Sequence, residues 1–175
     1  MRPEDSSVAI IQGVNAPHQF SYENGIVLTD VGPGYAKGEL IIGPDSINPH
    51  GNVHGGALST LADTVGGCCA CSKGGSCVTS GCSIEYLRPA NGSKIYCTAT
   101  PKKLGRTLSV VALEMTNDQG AVVATATYTF FMMHIHINYI IEITLKFYSS
   151  NIRIKINPES ISINCCYFVT LFFQG

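Results

Sequence analysis

The sequence predicts an α+β fold in which a curled antiparallel β-sheet wraps around one long central helix. Residues 53–71 carry apolar side chains at a helical period. The segments on either side are rich in the β-branched and aromatic residues that favour strands. Short turns between the later segments favour antiparallel neighbours, so the sheet is expected to be a single antiparallel layer around the helix.

The first 52 residues predict two strands ahead of the helix. Residues 1–25 are weakly patterned and suggest one short helix and a loop. Residues 25–30 and 34–43 are strand-like and meet at a Gly-Pro-Gly turn. A polar loop follows and leads to the helix.

The helix is predicted from the spacing of its apolar residues. Ala57, Leu61 and Val65 recur every four residues, and Leu58 and Ala62 occupy the adjoining row. Glycines after residue 73 are typical of a helix end. Since few positions within it are polar, we expect the helix to be largely enclosed.

Four strands are predicted after the helix, at residues 76–89, 93–101, 106–117 and 121–133. Turn-forming residues separate them at 89–92 and 117–120. We expect these strands to form a four-stranded meander, because consecutive strands joined by short turns usually pair with each other.

Composition, charge and hydrophobicity argue against several classes of protein. Hydrophobic residues make up 45% of the chain and charged residues 13%, which argues against disorder. A net charge of −1 argues against a nucleic-acid partner. The N-terminus lacks the apolar core of a secretory signal, and no apolar run is long enough to cross a membrane. We therefore expect a cytoplasmic protein whose eight cysteines are reduced thiols.

The composition changes near residue 134. Residues 134–175 contain ten isoleucines, no alanine, no aspartate and one glycine. We therefore divide the chain into a domain at 1–133 and an atypical tail at 134–175. The tail has two interpretations, a segment of non-native origin or a genuine extra hairpin, and neither assigns chemistry to it.

The densest cluster of polar and glycine residues is NPHGNVHGGALSTLAD, residues 48–63. His54, Gly55 and Gly56 open the predicted helix, where unpaired backbone N–H groups and the helix dipole favour negative charge. Glycine lets a ligand approach this backbone closely. The helix start is therefore a candidate site for an anion or an oxyanion.

Asp63 lies within an otherwise apolar helix, where an ionised carboxylate needs a partner or a function. Catalysis is one explanation, and a carboxylate at a wet helix end or bonded to a neighbouring strand is another. Gly55 and Asp63 are about 12 Å apart along the helix axis, so one carbonyl cannot contact both within a single chain. If the two residues share a site, the sequence predicts a symmetric homodimer with two equivalent sites.

The cluster and the strands after it resemble the hotdog-fold acyl-CoA thioesterases of the PaaI-like and thioesterase superfamily member 2 type. The resemblance covers about residues 15–133 and rests on N-x5-HGG-x6-D, followed by VTSGCSIEYLRPA and GRTLSVVALEMTNDQGAVVATATYTF. It implies a hotdog fold, hydrolysis of a coenzyme A (CoA) thioester, and assembly as a homodimer or a dimer of dimers. The tail has no counterpart in the family.

The resemblance also implies roles for five residues. Asp63 corresponds to the carboxylate that activates water or attacks directly, and Thr79 to the hydroxyl that orients the water. Gly55 corresponds to the backbone N–H that binds the thioester oxygen, while Asn48 and His54 correspond to the polar pair that holds the carbonyl side or positions water. Asn48, His54 and Gly55 would come from one subunit, and Asp63 and Thr79 from its partner.

Each assignment has a structural alternative. Asn48 precedes a proline and could form a turn, His54 could cap the helix, and Thr79 could be an ordinary strand residue. We expect substrate contacts from Gly56 and from basic residues that face the CoA phosphates, although basic residues also occur on any solvated face. Those basic candidates are Arg88, Lys102, Lys103 and Arg106.

Neither a metal nor an organic cofactor is expected. The CCAC run at 68–71 lacks the paired spacing of a structural zinc site, and cysteines on a buried helix usually act as small apolar side chains. Two other functions are compatible with a hotdog fold: a hydratase or dehydratase of acyl thioesters, and a non-catalytic acyl-CoA-binding protein. The sequence does not indicate the acyl group.

Overall fold

The computed structural model describes residues 3–133. The predicted tail at 134–175 lies outside the described residues, so the division of the chain at residue 133 stays a prediction. Two helices precede the sheet, α1 (Pro3–Val14) and α2 (Phe20–Glu23), and the central helix is α3 (Gly55–Ala70). The strands are β1 (Ile26–Gly32), β2 (Tyr35–Ile41), β3 (Ser76–Tyr86), β4 (Lys94–Leu104), β5 (Leu108–Asn117) and β6 (Val122–Met133).

The six strands form one sheet in the order β1-β2-β4-β5-β6-β3, and every neighbouring pair is antiparallel. Helix α3 packs against the sheet and contacts all six strands. This arrangement confirms the predicted α+β fold with one antiparallel sheet and one central helix.

The predicted four-stranded meander is wrong, because β3 pairs with β6 and not with β4. The backbone N–H groups of Leu87 and Arg88 both bond to the Val123 carbonyl, which keeps the chain beside β6 past the end of β3. The chain then crosses the start of α3, where the Val53 N–H bonds to the Ala90 carbonyl. The segment predicted as a tight turn is therefore a crossover, and only β4, β5 and β6 form a meander.

The N-terminal prediction was also incomplete. Helix α1 is longer than the short helix expected, and its Ile10 and Val14 are buried. The Asn15 side chain then bonds to both the N–H and the carbonyl of Leu28 in β1, which fastens the end of the helix to the sheet. Contacts with the rest of the fold therefore stabilise helix α1, whose length its weak sequence pattern did not indicate.

The apolar face of α3 forms the centre of the core, and Leu61, Ala62 and Val65 are fully buried. Small residues bring the helix and the sheet close together. A Cβ on Gly38 of β2 would lie 2.7 Å from a Val65 methyl, and a Cβ on Gly66 would lie 3.0 Å from the Phe130 ring. The enclosure expected for this helix is confirmed, and its half-buried polar stripe (Ser59, Thr60, Asp63 and Thr64) lies opposite.

Candidate active site

Most of the predicted site residues are divided between two cavities along α3, and His54, Lys103 and Arg106 line neither. The larger has a volume of about 670 Å³ and includes Asp63, Thr79 and Gly56 in its lining. The smaller has a volume of about 400 Å³ and is lined in part by Asn48, Gly55 and Arg88. A single chain therefore has two separate cavities, which we call the acid cavity (containing Asp63) and the amide cavity (containing the Gly55 backbone).

In the acid cavity, Asp63 of α3 is bonded to Thr79 of β3. The Thr79 hydroxyl Oγ1 donates to Asp63 Oδ1 at 2.5 Å. Asp63 is half-buried, and within residues 3–133 it forms no salt bridge. The contact to a neighbouring strand, one of the explanations for a carboxylate here, is thus present, and it lies in the wall of a cavity.

A β-bulge follows Thr79 directly. Thr79 pairs with Phe130 and Gly81 pairs with Thr129, which leaves Ser80 as the extra residue. The Ser80 hydroxyl donates to the Thr129 carbonyl and holds the bulge in place. Bulges next to functional sites commonly redirect a neighbouring side chain, and here the bulge is adjacent to the residue that contacts the carboxylate.

The rest of the acid cavity is largely apolar. Phe20 at the start of α2 is 72% exposed and lies at this cavity, as does Val14 at the end of α1. Val78 and Phe130 contribute further apolar wall. Residues before β1 were not predicted to contribute to the site, because their weak pattern gives no indication of where they pack.

Two hydroxyl groups in the acid cavity were also missed. Ser59 lies one helical turn before Asp63, so the two share one face of α3. The Ser59 and Tyr128 hydroxyls are 2.8 Å apart, and the Tyr128 hydroxyl donates to the Ser59 carbonyl. Burial raises the pKa of Tyr128 above its ordinary value, so the phenol stays protonated at neutral pH.

In the amide cavity, the start of α3 presents one backbone N–H that no described residue accepts. The Gly56 N–H donates to His54 Nδ1 at 2.8 Å, so His54 caps the helix. Capping was the structural role considered for His54 as an alternative to catalysis. Gly55 is the first helical residue, and its N–H has no acceptor among residues 3–133. The Tyr86 hydroxyl donates to the Gly55 carbonyl, and its ring lies 3.1 Å from where a Gly55 Cβ would be.

Asn48 shapes the loop that leads to this helix start. Its side-chain oxygen accepts from the backbone N–H groups of His50 and Asn52, and its own N–H bonds to the Asn52 carbonyl. The turn proposed as its structural alternative is therefore present. The side-chain oxygen is occupied by the loop, and Asn48 lies in the wall of the amide cavity.

The basic residues are not gathered in one place. Arg88 lines the amide cavity, and its guanidinium donates to the Val122 carbonyl at 2.7 Å. Lys103 near the end of β4 and Arg106 in the β4–β5 turn are exposed and line neither cavity. Lys102 donates to the Thr127 hydroxyl on the sheet surface.

The described residues contain neither a metal-binding cluster nor a membrane-spanning helix. Residues 3–133 contain no group of three or more His, Cys, Asp or Glu residues arranged to hold a metal ion. In the same part of the chain, no helix combines the length and the apolar character needed to span a membrane.

Comparison with known sequences identifies relatives. The thioesterase superfamily model matches residues 50–124. The acyl-coenzyme A thioesterase PaaI of Escherichia coli is 33% identical over 101 residues, which are 57% of this chain and 72% of that protein. The human acyl-coenzyme A thioesterase 13 is 30% identical over 108 residues, which are 59% of this chain and 77% of that protein.

Solved structures agree with these relatives. The structure of E. coli PaaI, from the phenylacetic acid degradation operon, has a TM-score of 0.65 at 26% identity and covers 73% of this chain and 96% of that one. The smu.793 protein of Streptococcus mutans, solved bound to acetyl CoA, has a TM-score of 0.59 at 29% identity and covers 62% of this chain and 88% of that one. The predicted family and hotdog fold are confirmed, and the chain belongs to the thioesterase superfamily.

Proposed function

We propose that this protein hydrolyses acyl-CoA thioesters at a site that two copies of the chain share. The observation that carries the proposal is the Thr79–Asp63 hydrogen bond in the wall of a largely apolar cavity. Relatives named as acyl-coenzyme A thioesterases support the reaction class, and a structural neighbour bound to acetyl CoA supports CoA as the carrier. The reduced thiols expected of this chain favour the cytoplasm as its location.

The separation of the two cavities supports a shared site. Asp63 and Thr79 line one cavity, whereas Gly55 and Asn48 line the other. Neither cavity alone holds both a carboxylate to activate water and an N–H to bind the carbonyl oxygen. A second copy of the chain supplies the missing half at each site.

Strand β3 provides a physical route to that pairing. It is the last strand of the sheet, so its outer edge has no partner within the described residues. Most of its side chains are exposed, and Tyr86 and Leu87 at its end are each 52% exposed. Pairing of two β3 edges would cover these groups and extend the sheet across the dimer.

An antiparallel pairing of two β3 strands would also bring the acid cavity of one copy beside the amide cavity of the other. The strand contacts the acid cavity near its start, through Thr79, and the amide cavity near its end, through Tyr86. In antiparallel strands the start of one lies beside the end of the other. A two-fold axis near the middle of β3, close to Cys82, therefore places Asp63 of one copy near Gly55 of its partner.

In the shared site, the thioester oxygen accepts a hydrogen bond from the Gly55 N–H, which stabilises the oxyanion that develops there. Asn48 donates its side-chain amide beside that oxygen. Asp63, oriented by Thr79, removes a proton from the attacking water or attacks the carbonyl itself. The carbon–sulfur bond then breaks, and the CoA thiolate takes up a proton as it leaves.

Two other assignments complete the proposal. The apolar wall that includes Val78 and Phe130 receives the acyl group. Arg88, which lines the amide cavity, contacts the CoA phosphates, and Lys103 and Arg106, which lie outside both cavities, contact the part of CoA that extends over the surface. Gly56 lines the acid cavity and contacts the substrate there.

A panel of aryl and aliphatic acyl-CoA thioesters, followed by release of free CoA thiol, tests the function. We expect turnover of at least one panel member by the wild type and a loss of at least about 10²-fold in Asp63→Asn. CoA binding and the oligomeric state should be retained in the variant. A wild type that binds acyl-CoA without releasing thiol would instead indicate a binding protein, and water addition to an enoyl-CoA would indicate a hydratase.

A further inference from the structure

Two cysteine thiols at the C-terminal end of α3 lie close to each other. Cys71 caps the helix, Cys77 is the second residue of β3, and their sulfur atoms are 3.3 Å apart. The Cys77 thiol is also 3.7 Å from the Gly67 carbonyl. A disulfide bond requires a sulfur separation of about 2.05 Å, so a movement of little more than 1 Å would join the pair.

The two thiols differ in their exposure to solvent. Cys71 is buried, whereas Cys77 is half-buried and lines the acid cavity. Of the two, Cys77 is the thiol that an oxidant in the cavity can reach, and Cys71 is positioned behind it to resolve the product. The exposed Cys82 also lines the cavity, so the Cys82→Ala variant below separates its reaction from that of Cys77. Two other buried thiols, Cys69 and Cys97, are poor competitors, because burial raises the pKa of Cys69 to about 11 and that of Cys97 to about 12.

The segment between the two cysteines can absorb the movement. Lys73, Gly74 and Gly75 are exposed, and both glycines have positive φ values. Such a loop adjusts at low energetic cost, since glycine is conformationally permissive. The loop can therefore follow a shift of the start of β3 relative to α3.

We infer that Cys71 and Cys77 form a reversible disulfide in response to a disulfide oxidant such as oxidised glutathione. The Cys77 thiolate attacks one sulfur of the oxidant, forms a mixed disulfide and releases one glutathione thiolate. The Cys71 thiolate then attacks Cys77 Sγ and releases the second. Two protein thiols are oxidised to one disulfide, the oxidant is reduced to two glutathione molecules, and each released thiolate takes up one of the two thiol protons.

The bond would act on the acid cavity through β3. Cys77 and Thr79 are two residues apart on the same strand face, ahead of the bulge at Ser80. Pulling Cys77 towards Cys71 displaces the Thr79 hydroxyl from Asp63, and misplacement by about 1 Å can lower a rate by about 10²-fold. This effect on turnover rests on the proposed function, whereas formation of the bond does not.

The test uses the full chain, oxidised with glutathione disulfide, alkylated and digested with trypsin. Cleavage after Lys73 separates the two cysteines, so the bond appears as two linked peptides that fragmentation assigns. We expect a Cys71–Cys77 link in the wild type and in Cys69→Ala and Cys82→Ala. Cys71→Ala should stop at the Cys77–glutathione mixed disulfide, and Cys77→Ala should form no link.

Turnover is measured on the same samples before and after oxidation. We expect the oxidised wild type to be at least about tenfold slower, with full recovery after reduction. Cys77→Ala, which forms neither the link nor the mixed disulfide, should show no loss of turnover on oxidation. Absence of the link, or a link through Cys82, would overturn the inference. A link without any change in the turnover of an active enzyme would overturn its regulatory part, and an enzyme inactive when reduced would instead count against the proposed function.

Discussion

The Thr79 hydroxyl donates to the Asp63 carboxylate from a strand at the edge of the sheet, across to the polar face of the central helix. This contact joins the two elements that carry the candidate chemistry. Because β3 also reaches Gly55 through Tyr86, one strand contacts both halves of the proposed site.

Substitutions at Thr79 test whether its hydroxyl orients the carboxylate. Thr79→Val removes the hydroxyl but keeps the shape and the β-branch, so we expect kcat to fall by about 10-fold to 10²-fold with little change in KM. Thr79→Ser keeps the hydroxyl and should retain most of the activity. Equal losses in the two variants would show that the hydroxyl has no role and that packing alone matters.

A pair of substitutions at Gly55 tests the proposed oxyanion donor. Both Gly55→Ala and Gly55→Pro add a Cβ that meets the Tyr86 ring, but only proline removes the backbone N–H. Proline is well tolerated at the first position of a helix. We expect Gly55→Pro to turn over at least about 10²-fold more slowly than Gly55→Ala, as measured by kcat on the best thioester. Similar rates for the two variants would eliminate this N–H as the donor.

Gly38 provides a test of the helix–sheet packing that positions Asp63. A Cβ on Gly38 would lie 2.7 Å from a Val65 methyl and 3.0 Å from the Val27 carbonyl oxygen, which cannot move away easily. We expect Gly38→Ala to lower the free energy of unfolding by about 1–3 kcal/mol in urea denaturation. Gly43→Ala, whose Cβ would meet no atom within 4 Å, is the matched control and should remain close to the wild type.

Asp118 provides a pH-dependent prediction. It accepts hydrogen bonds from the N–H and the hydroxyl of Ser93, and these bonds hold its pKa below the ordinary value. A lowered folded-state pKa stabilises the protein above the unfolded pKa of about 3.9, and the contribution is lost as the pH falls through the folded pKa. The Tm difference between the wild type and Asp118→Asn should therefore be full at pH 6 and shrink below about pH 4. A difference that is constant from pH 6 to pH 2 would contradict this assignment.

The sequence predicts the elements of this fold better than it predicts their neighbours. The period of α3 and the β-rich segments indicate each element to within a few residues of its observed bounds. The partner of β3 is not encoded in its own pattern, because pairing with β6 depends on the chain crossing the start of α3 near Ala90. A meander was therefore the simpler prediction, and it was wrong.

The sequence likewise indicates some residues of the candidate site and not others. The spacing of Asn48, Gly55 and Asp63 on the helix and the loop before it indicates a site, and the structure places Thr79 against Asp63. Tyr86 and Phe20 reach the cavities only through tertiary packing, and no local pattern indicates it. Ser59 could have been found from its position one turn before Asp63.

The shared site is tested most directly by mixing two inactive variants. Asp63→Asn damages only the acid cavity and Gly55→Pro only the amide cavity, so each homodimer should be inactive. If subunits exchange freely, half of the dimers are mixed and each has one intact site, so about a quarter of the wild-type activity should return. Recovery of activity on mixing is the result we predict, and no recovery, with subunit exchange verified by mass spectrometry, would contradict a site built from two chains.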